Sequence, residues 1–244
     1  MTSVATRASR TARARRAESR DGSLRAPEQV QAQFVTIREE SLVKSRERVK
    51  SYGEVFTPRH MVDRMLDLVA FDLEEAPDFV DKTFLEPAAG DGNFLVAILE
   101  RKLRAIEKRI EAPLWPQESL FALASIYGIE LLEDNHADAQ AIMLDEFTRF
   151  HLSHDQACGQ GSRLYLAAQH LIATNVVRGN TLTSQTADGE PIEFSWWHRT
   201  EVAGYVQREP FSLASLTEGA MFDFADYAQY APCAIDRVHL ETGQ

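Results

Sequence analysis

The stretch "FLEPAAGDGNFL", residues 84–95, decides how the rest of the chain is read. A short apolar run ends in a carboxylate and a proline. Three small residues and an Asp-Gly pair follow, and then an apolar helical pattern begins. That order predicts a strand, a tight turn and the start of a helix. Gly90 and Gly92 permit positive φ, and with Ala88 they let a ligand approach the backbone. In open parallel sheets ligands sit outside the carboxyl ends of the strands. The exposed N–H groups of such a turn favour a carboxylate or a phosphate. Glu86, on the turn itself, repels a phosphate and attracts an ammonium. An amino-acid moiety carries both charges and suits the turn better.

Working outward, a strand is expected over 83–85 and a helix over 92–110. The helix has Leu95, Ile98, Leu99, Leu103, Ile106 and Ile110 on its apolar face, and Lys102 lends only its stem. Upstream, Thr57 suits an N-cap and Pro58 the first helical position. Val62, Met65, Leu66 and Val69 then recur at helical spacing. Downstream, Pro113 and Pro116 break the chain, and "SIYGIELLEDN" gives a second buried strand over 126–131. A helix is expected over 134–150, a solvated loop at "HLSHDQACGQGS", a helix over 164–172, and a third strand in "NVVRGNTL". Strands separated by helical crossovers indicate an α/β fold with a parallel sheet. Glu130, ending the second strand, is placed to accept hydrogen bonds from a ribose diol. A nucleoside joined to an amino acid therefore fits better than a dinucleotide, and S-adenosylmethionine is such a ligand.

After Leu182 the pattern changes. "GEPIEFSWWHRTEVAGYVQREPF" reads as two β-rich runs around a turn, with one of Trp196 and Trp197 in the core and the other half exposed. The final thirty residues show no clear period. The division expected is a basic tail over 1–28, a core over 29–182 that opens with a polar helix to Lys50, and a β-rich segment over 183–244.

The net charge of −11 hides an asymmetry: residues 1–50 hold 12 Lys and Arg against 6 Asp and Glu, the remainder 14 against 31. Arginines concentrate in "RASRTARARRAESR", which lacks the large apolar residues needed to fold alone. This segment reads as a solvated tail, an electrostatic arm for nucleic acid, or a transit peptide. An acidic body repels DNA, so DNA contact has to come from local basic surface or a partner chain. Cys158 and Cys233 show no metal spacing, and two cysteines make no disulfide scaffold. No apolar run reaches the ~20 residues of a membrane span, so a cytoplasmic protein without a membrane segment is expected.

Residues 53–182 resemble the N6-adenine DNA methyltransferases of restriction–modification systems. "GEVFTPRHMVDRML" is similar to that family's leading Phe-x-Pro element, and "FLEPAAGDGNFL" to its Gly-rich cofactor loop. "YGIELLEDN" is similar to its acidic second motif and "NVVRGNTL" to its third, in the family's order. The resemblance implies a Rossmann-like S-adenosylmethionine-dependent methyltransferase core with an appended β-rich C-terminal extension. It implies that Thr57 contacts the methionine carboxylate and that Glu86, Ala88 and Gly90 cradle the methionine part. Glu130 would take the ribose hydroxyls. Asn180 stands where an Asp usually accepts from the adenine amino group. Asp91 serves either the site or only the shape of the turn. The family's catalytic loop, Asp/Asn/Ser-Pro-Pro-aromatic, has no counterpart, because no two of the nine prolines are adjacent. Asp223, Tyr227 and Tyr230 offer an improvised replacement. The functions left open are DNA adenine-N6 methyl transfer, a cofactor-binding subunit completed by a catalytic or specificity partner, a non-catalytic binding protein, and methyl transfer to another substrate.

Overall fold

The computed structural model describes residues 43–216 and 230–241. The basic tail, most of the polar helix expected before Lys50, and Asp223 and Tyr227 lie outside the described residues.

Three strands, β1 (Phe84–Glu86), β2 (Ile126–Glu130) and β3 (Val176–Arg178), form a parallel sheet in the order β1-β2-β3. Phe84 pairs with Ile126 and Gly128 with Val176. Strands laid down in chain order by right-handed crossovers put every crossover helix on one face. That face carries α3 (Asn93–Arg109), α4 (Trp115–Ala124), α5 (Glu133–Ser153) and α6 (Arg163–Asn175), which pack on one another. Strand alternation sorts the sheet residues accordingly. Ile126 and Val176 join the helical core, and Gly128 leaves room for Leu95, whose Cδ1 would stand 2.7 Å from an added Cβ.

The opposite face is closed by an antiparallel hairpin, β4 (Glu193–Arg199) with β5 (Tyr205–Ser212), extended by β6 (Cys233–Ala234). Tyr127 and Ile129 meet Ile192, Phe194 and Phe211 there, and Tyr127 donates to the Ser195 carbonyl at 2.9 Å. Trp196 stacks on Phe211 while Trp197 is buried and donates to Asn175 at 2.9 Å, which matches the expected split between the two rings. The hairpin leaves β1 open on this side, with Leu85 44% exposed.

Several boundaries move for physical reasons. Helix α2 (Arg59–Asp67) follows α1 (Arg46–Tyr52), and Pro58, not Thr57, is its N-cap. Pro58 is extended at ψ 143°, and its carbonyl takes the first helical N–H groups, from Met61 and Val62. Of the expected stripe, Val62 and Leu66 are buried, whereas Met65 and Val69 are exposed. Helix α4 is an addition to the elements expected. Pro116 lies in its first turn, where a missing N–H costs nothing. Helix α5 runs on to Ser153, so His151 is helical and buried between Ser119 and Gln156, and His154 is its C-cap. Neither belongs to a solvated loop.

At the amino end of the sheet Lys102 is buried to its tip. Its Nζ donates to the carbonyls of Val80 (2.9 Å) and Lys82 (2.7 Å) and to Ser125 Oγ (2.6 Å). Burial pushes its pKa down to about 7. No helix among the described residues is long and apolar enough to cross a membrane.

Candidate functional site

At the carboxyl end of the sheet lies a cleft of about 320 Å³. Its walls are the turn after β1 (Pro87, Ala88, Gly90), the end of β2 with the first turn of α5 (Glu130, Asn135), and the loop after β3 (Asn180, Leu182). The 52–56 segment, which links α1 to α2, completes it.

Backbone bonds lace the strand ends together. Ala89 N–H donates to the Ile129 carbonyl and Gly179 N–H to that of Glu130, both at 2.9 Å. Thr181 Oγ1 donates to the Pro87 carbonyl at 2.5 Å, joining the outer two turns. Glu130 is the knot. It is 7% exposed, and its carboxylate accepts from Gly90 N–H at 2.8 Å and Leu132 N–H at 2.9 Å. Each carboxylate oxygen has a second lone pair free in principle for a ligand.

The glycines are explained by close packing as well as by backbone angle. Gly90 has φ +57°, and a Cβ there would stand 3.2 Å from the Phe56 ring. Gly92, at φ +93°, caps α3, and a Cβ would stand 2.8 Å from Ala139 Cα in α5. The turn is bare partly so that α3 can start hard against α5.

Of the expected site residues, Ala88, Gly90, Glu130 and Asn180 line the cleft, and Thr57, Glu86 and Asp91 do not. Glu86 accepts from Ala88 N–H at 3.0 Å, folding back on its own turn, and burial pushes its carboxyl above the usual range. Burial likewise raises Asp91, one of whose oxygens is enclosed without a partner. Asn180 Oδ1 accepts from Leu182 N–H at 2.9 Å, and its backbone pairs with Gln185. The chain after β3 therefore turns back tightly and enters the hairpin. Tyr230 lies away from the cleft, under the Arg208 guanidinium at 4.4 Å.

Two polar lining residues escaped the sequence reading. Glu54 takes a bidentate bond from Arg48 (2.6 and 2.7 Å), and Asn135 Nδ2 donates to Glu54 Oε1 at 2.7 Å. Arg48 also holds Asp134 (2.6 and 3.0 Å), and Lys44 bridges Asp134 and Asp138. The hydrogen bonds from Arg48 keep the Asp134 carboxyl well below the usual range. The Arg48–Asp134 and Glu54–Asn135 contacts join residues more than eighty positions apart, so no local spacing signals them.

The cleft thus offers an anchored carboxylate, bare backbone and an apolar rim in which Leu182 is 95% exposed and Val55, Leu131 and Tyr52 are also open. Its aromatic lining among the described residues is Tyr52 and Phe56. A flat ring with a polar, hydroxylated tail suits that mixture. Comparison of the chain with protein-family models, with curated proteins and with solved structures gave no match.

Proposed function

We propose that the cleft binds S-adenosylmethionine and that the chain is the cofactor-binding part of a DNA adenine-N6 methyltransferase of a modification system, built on a Rossmann-like core. One observation carries the reading. Glu130 closes the second strand of a parallel sheet and is bonded to Gly90 of the glycine turn that closes the first. That juxtaposition supports the order of motifs noted in the sequence. The volume lies at the lower end of the range for small-molecule sites, roughly 300–1,000 Å³.

In this reading Glu130 holds the nucleoside sugar, Ala88 and Gly90 let the amino-acid end lie against the turn, and the rim around Leu131 and Leu182 covers the base. The cofactor supplies an activated methyl group. The chain's own part is to bind and orient it and to exclude water. The amine of adenine is a poor nucleophile because its lone pair is delocalised, so transfer also needs a holder for the base.

A second reading is favoured by the turn that follows β3. Asn180 and Gln185 pair there, Asn180 Oδ1 is engaged by Leu182, and the chain enters the hairpin directly. Nothing in that turn supplies the polar and aromatic pair that would hold a flipped base. On this reading a partner chain brings the base-holding residues. Calorimetry with S-adenosylmethionine tests the common core of both readings. Absence of heat or thermal shift at millimolar ligand removes them. A methylation assay on DNA tests the need for a partner: cofactor binding with slow or no transfer by the purified chain is expected, and robust N6-methyladenine formation overturns the partner reading.

A further inference from the structure

Asn135 is 1% exposed and lines the cleft, yet its Oδ1 has no hydrogen-bond partner. The amide cannot be turned round to relieve this. Its Nδ2 faces the Glu54 carboxylate at 2.7 Å, and a carboxylate accepts but does not donate. Glu54 is itself fixed, because Arg48 grips both of its oxygens. A buried acceptor without a donor is destabilising, so a native structure that keeps one calls for a reason.

The neighbouring acceptor behaves differently. Glu130 has one backbone N–H on each oxygen already. Asn135, in the first turn of α5, follows it closely in the chain, and both line the same cleft. Of the polar side chains at this wall, Asn135 is the one that keeps a wholly unused acceptor.

We infer that Asn135 is a ligand-positioning residue whose side-chain carbonyl accepts a hydrogen bond from a sugar hydroxyl of the nucleoside in the cleft, with Glu54 and Arg48 setting the amide the right way round. This rests on the nucleoside reading of the cleft. A vicinal diol brings two donors, and Glu130 and Asn135 are two acceptors for them. The Asn135 oxygen is closed to solvent, so a shift of the cleft wall has to admit the hydroxyl. The 52–56 segment carries Glu54 and hangs from α1, which buries none of its residues and is tied down by ion pairs. That segment's exposed side chains, Tyr52 and Val55, are the part of the wall able to move while Arg48 keeps Glu54 in place.

The test is a binding cycle on the full chain. S-adenosylhomocysteine and its 2′-deoxy and 3′-deoxy analogues are titrated into wild type and Asn135→Ala. In wild type, loss of the relevant hydroxyl weakens binding about tenfold or more, the scale of one such bond. In Asn135→Ala the parent binds correspondingly weaker and the same deletion costs less than about threefold. A merely structural Asn135 lowers all three ligands alike and leaves the hydroxyl penalty unchanged, which overturns the inference while the nucleoside reading stands. No binding of the parent by wild type overturns that reading instead and takes the inference with it. Should Asn135→Ala fail to fold, Glu54→Gln carries the test. A neutral amide pairs with Asn135 either way round, so the hydroxyl penalty shrinks if the inference holds and persists if it does not.

Discussion

The two ends of the β1-β2-β3 sheet are finished in opposite ways. At the amino end the Lys102 ammonium is enclosed by the oxygens of Val80, Lys82 and Ser125, with the Phe84 ring 5.2 Å away. Arg199 nearby grips Asp81 and Glu118 and lies over Phe121 at 3.6 Å. At the carboxyl end the turns are bare, the rim is apolar and exposed, and oxygens of Asp91 and Asn135 are enclosed without donors. Saturated polar groups hold a fold together, and unsatisfied ones invite a ligand. One end of the sheet is closed and satisfied, and the other is the open end proposed above to hold the cofactor.

The comparison breaks first at Lys102. Lys102→Ala strands the Lys82 carbonyl, takes one of two bonds from the Val80 carbonyl, which keeps the Ser125 hydroxyl, and opens a cavity, so unfolding in urea should show a loss of about 3–5 kcal/mol. Its cost to cofactor affinity, measured where the variant is still folded, should be negligible. A comparable loss of affinity would mean that the two ends are not independent.

Glu130→Ala is the mirror experiment. Calorimetry should show S-adenosylmethionine binding weakened by about 1.5–3 kcal/mol, the scale of hydrogen bonds to a charged group. The melting temperature should fall less than it does for Lys102→Ala, since Glu130, though only 7% exposed, borders the cleft, where water can replace its two bonds. Unchanged affinity would remove Glu130 from the site.

A pH series sharpens the contrast. Lys102 sits near 7 in the folded protein against 10.5 ordinarily. Between those values the unfolded chain holds a proton that the folded chain releases, so stability rises with pH. The ceiling is ~1.4 kcal/mol per pH unit, and the three oxygens, which favour the ammonium, reduce it. A gain of about 1–2 kcal/mol from pH 7 to 9 is expected, and Lys102→Met should abolish it. Above about pH 9 the thiols of Cys158 and Cys233, both raised by burial, work the other way, because the folded protein keeps protons that the unfolded one has lost. A flat profile in wild type would show that the oxygens fully offset the burial of Lys102.

The smallest effect belongs to the ion pairs that tie α1 down. Exposed pairs contribute little and are screened by salt. Raising ionic strength, or Lys44→Ala, which removes the exposed pairs to Asp134 and Asp138, should speed hydrogen exchange at the 52–56 amides without moving the global urea midpoint. Equal protection at low and high salt would mean that packing, not charge, holds the segment.

The parallel sheet and its turns were legible in the sequence because their signals are local: "FLEPAAGDGNFL" and "SIYGIELLEDN" each hold a strand and the turn that ends it. Four of the seven site residues expected from the motifs, Ala88, Gly90, Glu130 and Asn180, line the cleft. Helix α4 was hidden because six of its ten residues, Ser119 to Ala124, are buried, so an enclosed helix shows no polar face to mark its period. Lys102 was read as a snorkelling side chain because nothing near it in sequence reveals three oxygens waiting at the far end of the sheet. Glu54 and Asn135 were invisible for the same reason, since their partnership exists only once α5 is packed against the start of the core. Thr57 was given the cap that Pro58 holds, because an extended proline at a helix start looks the same in sequence as a helical one.

The pairing pattern also bears on the order in which the molecule is made. Arg199 pairs with Val206 across one short turn, so the hairpin closes a small loop, an event of microseconds. Phe84 has to wait for Ile126, and Gly128 for Val176, across whole helical crossovers, and such non-local contacts form slowly. Pulse-labelled exchange should therefore find β4 and β5 protected before β1. Until the parallel strands meet, the cleft has no floor, and binding competence should be the last property that a refolding chain acquires.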